Sequence, residues 1–131
     1  MKVTAIVEKS KDGLYSVYVK DELPGFGLNG QGESVEEAKS EMLEAFSEIK
    51  EIFEEQGKEV PELEFEYEYD LQAFFNYFNW INVSKLAEKV GINPALLRHY
   101  KKGIAFASEK QCEKIQRCIH ELGGELTTAR F

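Results

Sequence analysis

Cysteine is scarce in this sequence, and the two residues present form no recognised cysteine motif. Cys112 and Cys118 lie six residues apart, a spacing that matches neither a CxxC redox pair nor a zinc-ligand pattern. In a predicted helix, this spacing turns the two side chains about 120° away from a shared face. We therefore expect buried or half-buried free thiols, which favours a reducing compartment.

Long apolar runs are also absent. The N-terminal stretch MKVTAIVEK has no apolar run long enough for a signal peptide, and it alternates like a strand. No segment approaches the ~20 apolar residues of a membrane helix. The hydrophobic content of 43% and the aromatic content of 12% nevertheless support folding. The sequence therefore predicts a folded, soluble, cytoplasmic protein with no membrane partner.

Positive charge is scarce in the first half of the chain. Residues 1–69 hold 7 Lys and Arg against 18 Asp and Glu, whereas residues 70–131 hold 9 against 6. The net charge of −8 is therefore divided into −11 for the first part and +3 for the second. Such a division predicts that the two parts have different partners.

The first part has the sequence pattern of a small α+β domain. KVTAIVEK and LYSVYVK flank KDG and predict a hairpin, and the glycine-rich DELPGFGLNGQGE predicts a loop with one short strand. Ser34 and Glu37 form a capping box that begins a long helix, which ends at Gly57. ELEFEYEYD then alternates strictly, which predicts a strand with an acidic outer face: Glu62, Glu64, Glu66 and Glu68.

From Asp70 the apolar period changes from two residues to 3.6, and the pattern predicts helices alone. This change places the domain boundary after Tyr69, which gives domains 1–69 and 70–131. We expect four or five helices in the second domain. The aromatic run FFNYFNW fits core packing better than base stacking, and the final GGELTTARF is compatible with a short strand.

The segment NVSKLAEKVGINPALLRHYKKG predicts two helices joined by a tight turn. Gly91 supplies a positive φ in the turn, Asn93 caps the second helix, and Pro94 occupies its first position. Ala87 is small enough for two helices to cross closely. The residues left outside this predicted core are the candidate DNA-binding set: Ser84, Lys85, Asn93, Ala95, Leu96, Arg98, His99, Lys101 and Lys102.

A second helix of this kind enters the DNA major groove with its N-terminus first. There, Arg98 would pair with guanine or phosphate, and Asn93 with adenine or a backbone oxygen. The lysines of the set would contact phosphates. One such helix reads a short half-site, so specific binding predicts a two-fold homodimer, or a higher homo-oligomer, on double-stranded DNA. The alternative is a helical hairpin with a solvated basic face.

Residues 70–122 resemble the lambda-repressor/Cro-type (Xre-like) helix-turn-helix domain. In that comparison Gly103 closes the recognition helix, and Arg98 and His99 match positions that often face DNA. The resemblance implies an all-α domain that binds operator DNA and regulates transcription.

The order β-β-loop-helix-β from Lys2 to Tyr69 carries a second resemblance, through DGLYSVYV, LPGFGLNGQGESVEEA and PELEFEY. The matching positions are Pro24, Gly25, Gly32, Ser34, Glu36, Glu37 and Ala38. They resemble the HicB antitoxin family, which implies a half-ribonuclease-H fold that blocks a small basic ribonuclease toxin, HicA, and represses the shared operon. An acidic surface fits a basic toxin, so Glu62, Glu64, Glu66 and Glu68 are candidate toxin contacts. The alternative is a merely solvated acidic face.

Two further functions remain as alternatives. A stand-alone helix-turn-helix regulator would use its first domain to oligomerise or to sense a ligand, without a toxin. A ribonuclease-H-like enzyme would need carboxylates converging about 4 Å around paired metal ions. The predicted strands offer no such inward carboxylates, and we expect no catalytic residues, metal or cofactor.

Overall fold

The computed structural model describes residues 1–131 and has the expected α+β class. Its secondary structure consists of β1 (Lys2–Lys9), β2 (Tyr15–Val19), β3 (Asn29–Gly32), α1 (Val35–Glu55), β4 (Glu64–Tyr69), α2 (Leu71–Tyr77), α3 (Val83–Val90), α4 (Pro94–Lys102) and α5 (Glu109–Thr128). The chain forms two compact units, Met1–Asn79 and Trp80–Phe131. None of the helices combines the length and the apolar character needed to cross a membrane.

The first unit contains a four-stranded mixed sheet in the order β3-β2-β1-β4. Strand β2 runs antiparallel to both β1 and β3, as the hairpin prediction required. Strand β4 runs parallel to β1, with Lys2 opposite Glu64 and Val7 opposite Tyr69. A parallel pair needs a long crossover, and α1 lies within that connection.

One face of the sheet is covered by α1, and the core lies between them. The buried β1 residues Val3, Ala5 and Val7 alternate with outward residues, as the period of two predicts. The helix contributes Met42 and Phe46. Strand β3 lies very close to α1 because it presents glycine there: a Cβ at Gly30 would collide with backbone atoms of Ala38 and Met42.

The predicted beginning and end of α1 are both confirmed. The Ser34 hydroxyl accepts a hydrogen bond from the Glu37 amide at 3.1 Å. The helix ends at Glu55, and Gly57 follows with a φ of 69°. The cap satisfies one of the amide donors that a helix N-terminus leaves unpaired.

Helix α2 belongs to the first unit, so the structure divides the chain after Asn79 and not after Tyr69. Ala73 is part of the core formed by the sheet and α1, and the Asn76 side-chain oxygen accepts a hydrogen bond from the Val35 amide at 3.0 Å. Phe74 and Phe75 pack edge to face, with ring centroids 5.1 Å apart. The change in apolar period therefore marks the end of the strands and not the end of the unit.

The second unit has three helices, not the expected four or five, because α2 lies in the first unit. The C-terminal GGELTTARF does not form a strand: α5 continues through Gly123 and Gly124 to Thr128. The Thr127 hydroxyl donates to the Gly123 carbonyl at 2.7 Å, a bond that a helical turn permits. The buried residues of this unit are Val83, Leu86, Ala87, Val90, Ile92, Leu97, Tyr100 and Ile115.

Both cysteines lie on α5 and are free. Cys118 is half-buried, as expected, but Cys112 is exposed. Both cysteines lie three positions from Ile115, the buried residue of α5, but Cys112 is in the first turn of the helix, where its side chain is exposed.

Candidate nucleic-acid interface

Helix α3 begins and ends with well-defined caps. The Asn82 side-chain oxygen accepts a hydrogen bond from the Lys85 amide at 3.0 Å. At the other end, Gly91 has a φ of 84°, a left-handed conformation that side-chain-bearing residues seldom adopt. The amides of Gly91 and Ile92 both donate to the Ala87 carbonyl, at 2.9 and 3.0 Å. This turn stops α3 abruptly and redirects the chain into α4.

Helix α4 begins as the sequence predicts. The Asn93 side-chain oxygen accepts from the Ala95 amide at 2.8 Å, and Pro94 is the first helical residue. Leu97 and Tyr100 are buried, and Gly103 ends the helix with a φ of 75°. The inward residues therefore fix which side of α4 remains outside.

The close approach of α3 and α4 depends on small and aliphatic side chains. Ala87 is completely buried, and Leu86 and Leu97 lie in the same core. From α5, the Lys114 ammonium donates to the Gly91 carbonyl at 3.3 Å, so the turn is held from a third helix. Sequence reasoning missed Lys114, because a contact between a side chain and a distant backbone carbonyl leaves no local pattern.

Most of the candidate DNA-binding residues lie on the surface of this helix pair. Ser84 and Leu96 are half-buried, and the exposed members are Lys85, Asn93, Ala95, Arg98, His99, Lys101 and Lys102. The last turn of α4 contains three basic residues and no acidic one. The outer face of α4 thus combines cationic donors with two small or apolar side chains near its N-terminus.

Arg98 is held in place by α3. Its guanidinium donates a hydrogen bond from Nη1 to the Ser84 hydroxyl at 2.9 Å. A guanidinium has five N–H donors in a planar fork, so this bond leaves others free for a base edge or a phosphate. The contact restricts the conformations of this long side chain before a ligand binds. It therefore lowers the entropic cost of ordering the side chain on binding.

Asn93 caps α4, and this limits how its side chain could pair with adenine. Such pairing uses the amide oxygen and nitrogen together. Its oxygen already accepts from Ala95, which occupies one of its two lone pairs, and its amide nitrogen can donate. Lys85 also has a neighbour, Glu88, at 3.9 Å, but both side chains are largely exposed, and such pairs contribute little.

The segment after α4 exposes two large apolar side chains that the sequence pattern did not single out. Ile104 is 67% exposed and Phe106 is 84% exposed. They precede Ser108, whose hydroxyl caps α5 by accepting from the Gln111 amide at 3.2 Å. In the sequence, the signal for their exposure is their position directly after Gly103, the residue that ends α4.

The acidic candidate residues lie on the other unit. Glu64, Glu66 and Glu68 of β4 are exposed on the sheet face opposite α1, and Glu62 is exposed just before the strand. Lys2 lies 3.6 Å from Glu66, and Lys20 lies 3.8 Å from Glu68, which offsets part of the negative charge. In this unit no helix covers that face, and its neighbouring outward residues include Thr4 and Ile6.

No group of three or more His, Cys, Asp and Glu side chains is arranged to hold a metal ion. Comparison with known proteins found no matching family model, no matching curated protein and no matching solved structure.

Proposed function

We propose that this chain is a DNA-binding antitoxin that neutralises a HicA-type ribonuclease and represses its own operon. The observation that carries the DNA-binding part is the pair α3 and α4, joined at Gly91, with a basic outer face on α4. A helix-turn-helix needs a sharp stop after its first helix and an exposed second helix.

In this function α4 occupies the major groove. Arg98 contacts a guanine edge or a phosphate, with its guanidinium oriented by Ser84. Lys85, Lys101 and Lys102 contact phosphates, which sets the register and makes affinity fall with salt. Ala95 and Leu96 carry no donors, so their contribution is apolar contact, for example with a thymine methyl group. His99 and the Asn93 amide nitrogen provide further donors.

Specific binding by this surface calls for two copies of the chain. One recognition helix reads only a few base pairs, and two-fold symmetric dimers read two half-sites about one helical turn apart. We therefore propose a homodimer, or a higher homo-oligomer with the same two-fold relation, on a palindromic operator.

The antitoxin part rests on the first unit. Its element order and its LPGFGLNGQGESVEEA segment support the proposed HicB-like fold, because the segment supplies the loop, β3 and the capped beginning of α1. The unit Met1–Asn79 carries 7 Lys and Arg against 19 Asp and Glu. An acidic surface attracts a basic ribonuclease and accelerates the encounter, and Glu62, Glu64, Glu66 and Glu68 are the proposed contacts.

A second function is favoured by the same helix pair: a stand-alone transcription regulator whose first unit oligomerises or senses a ligand. The two functions differ only in whether a toxin partner exists. Both predict operator binding, so DNA binding alone does not separate them.

Two measurements test the proposal. The first is fluorescence anisotropy with DNA from upstream of the gene, titrated with the full chain and competed with unrelated DNA of equal length. We expect preference for the upstream DNA and a steep fall in affinity with salt. Equal affinity for both DNAs would contradict an operator function.

The second measurement is growth of cells that express the small reading frame beside the gene, alone and together with this chain. Growth arrest relieved by co-expression supports the antitoxin. Normal growth with the neighbour demonstrably expressed, combined with operator binding, supports the stand-alone regulator instead.

A further inference from the structure

Strand β4 forms one edge of the sheet, and its hydrogen bonds to β1 show which of its backbone groups face outward. In the order β3-β2-β1-β4, it pairs with β1 alone. The Glu64 amide donates to the Met1 carbonyl at 2.9 Å, and the Asp70 amide donates to the Val7 carbonyl at 3.0 Å. In a parallel pair, alternate residues of a strand bond to the same neighbour. The intervening residues therefore direct their amides and carbonyls to the opposite side, where no strand pairs with them: Phe65, Tyr67 and Tyr69.

The two faces of this outer edge of β4 differ in chemistry. On the face opposite α1, the strand exposes Glu64, Glu66 and Glu68. On the other face, Phe65 and Tyr67 pack against the core but remain half-buried. Their partial exposure follows from the position of β4, because only a further strand would cover their outer sides. The unpaired backbone groups thus lie between a row of carboxylates and a row of aromatic rings.

The inner side of β4 shows which charge this edge accepts. Lys2, on the neighbouring strand β1, lies 3.6 Å from Glu66 across the pair. A strand added on the outer side would be an equivalent neighbour, and basic residues at its alternate positions would meet the same row. A second copy of β4 would instead place glutamate against glutamate, which is destabilising. The opposite edge of the sheet, β3, has four residues, two of them glycine, and no charge.

We propose that the outer edge of β4 docks one extended basic segment of the toxin, which adds to the sheet as a fifth strand. Alternate residues of this segment are basic and face the glutamates, and the residues between them are apolar and cover Phe65 and Tyr67. Main-chain hydrogen bonds then supply affinity, and the alternating side chains supply specificity. Charges on an edge strand normally prevent pairing with other chains, so only a partner of opposite charge is admitted.

The identity of the partner rests on the proposed antitoxin function, whereas the docking mode rests on the edge strand itself. Amide hydrogen exchange, resolved by residue with NMR on the full chain, tests the docking mode. The probe is a short synthetic peptide of alternating lysine and valine at millimolar concentration. In the free chain, the amides of Glu66 and Glu68 should be protected by β1, and those of Phe65 and Tyr67 should exchange rapidly.

With the lysine–valine peptide, exchange at Phe65 and Tyr67 should slow by at least about tenfold. This alternating pattern distinguishes an added strand from contact through glutamate side chains, which would leave the outward amides unprotected. A peptide with glutamate in place of lysine is the matched control and should give no protection. Unchanged exchange at Phe65 and Tyr67 with the lysine–valine peptide, or equal protection by both peptides, would overturn the proposal.

The charge contribution is tested by the double variant Glu64→Gln and Glu66→Gln, which keeps the shape of both side chains. Its affinity for the lysine–valine peptide should fall by about fivefold, because exposed ion pairs contribute little individually. The matched control is Glu51→Gln with Glu55→Gln on the exposed side of α1, which should leave the affinity unchanged. An equal fall in both variants would contradict docking at β4. The growth test of toxin neutralisation uses neither peptide, so failure of the docking mode is distinguishable from failure of the antitoxin function.

Discussion

The two units use the same side chain, lysine, in opposite ways. In the first unit, which carries 7 Lys and Arg against 19 Asp and Glu, Lys39 is buried among aromatic rings and connects α1, β4 and α2. In the second, which carries 9 against 5, Lys101 and Lys102 are exposed on one helix. Net charge therefore describes the surface of each unit and says little about its interior.

The cores differ in a related way. The first unit has a nearly continuous series of ring contacts along β4 and α2, from Phe65 through Tyr67 and Tyr69 to Phe74 and Phe78. The second is built mainly of aliphatic side chains around Leu97. Large rings join distant elements, whereas small aliphatic residues permit the close crossing of two short helices. Four substitutions test this comparison, from the largest expected effect to the smallest.

The largest effect is expected for Phe46→Ala, because Phe46 is 5% exposed and lies in the core between the sheet and α1. Truncation of a buried phenylalanine typically lowers the free energy of unfolding by about 3–5 kcal/mol. Amide hydrogen exchange should then accelerate in β1 and α1 while α3 and α4 remain protected. Phe106→Ala, at an exposed phenylalanine, should leave exchange unchanged everywhere. Equal loss of protection in both units would contradict the division after Asn79.

The next effect concerns DNA. Arg98→Ala should weaken operator binding by about 1–3 kcal/mol if Arg98 reads a base, with relaxed preference at one position. Anisotropy titrations at fixed salt measure both quantities. The matched control is Arg130→Ala, an exposed arginine after the end of α5. If the two variants bind the operator equally well, Arg98 has no role in recognition.

A smaller effect is expected from pH. Burial lowers the pKa of Lys39 to about 8 in the folded state, whereas the side chain keeps its usual pKa of 10.5 in the unfolded chain. The unfolded state therefore binds more protons between these values, and stability rises with pH across that window. Relative to Lys39→Met, the native chain should gain about 1–2 kcal/mol between pH 7.5 and 9.5 in urea unfolding.

That range also avoids interference from the phenols. Burial raises the pKa of Tyr67 and of Tyr69, so the folded state keeps these protons to a higher pH than the unfolded state does. Their contribution therefore reduces stability only as pH rises above about 10, the usual value for tyrosine. A flat difference between the native chain and Lys39→Met below pH 9.5 would show that the Lys39 pKa is unchanged by folding.

The smallest effect concerns the acidic face of the sheet. Reversal of Glu64 and Glu66 to Lys should slow association with the proposed HicA-type toxin by about tenfold at low salt, without a change in DNA affinity. Stopped-flow mixing measures the rate. Reversal of two exposed glutamates of α1, Glu51 and Glu55, is the matched control. Slower association in the control alone would move the toxin contact to the helix.

Local signals in the sequence predict local features of the structure correctly. The alternation in β1 and β4, the Ser34 cap, the positive φ of Gly91 and the Asn93–Pro94 beginning of α4 all depend on residues close in sequence. Each is determined by the backbone conformation that those residue types favour. For the same reason, the apolar pattern of α3 and α4 is sufficient to predict their inward and outward sides.

Features that depend on distant contacts leave no such signal. The apolar period places helix α2 in the wrong unit, because the attachment of this helix comes from Asn76 and Val35, 41 residues apart. The contacts of Lys39 with Tyr67, Tyr69 and Tyr77 need α1, β4 and α2 together, and in the sequence Lys39 resembles any surface lysine. At Gly123 and Gly124, low helix propensity suggests the end of a helix, but α5 continues.

The parallel pairing of β1 with β4 has a consequence for the order of folding. Lys2 is paired with Glu64, so strand β1 pairs with a strand that begins 62 residues later in the chain. Closing such a loop is entropically costly, and chains dominated by distant contacts fold slowly. The second unit has mainly local contacts and should reach its native state sooner. When the full chain refolds from denaturant, therefore, amide protection of α3 and α4 should appear before that of β1 and β4.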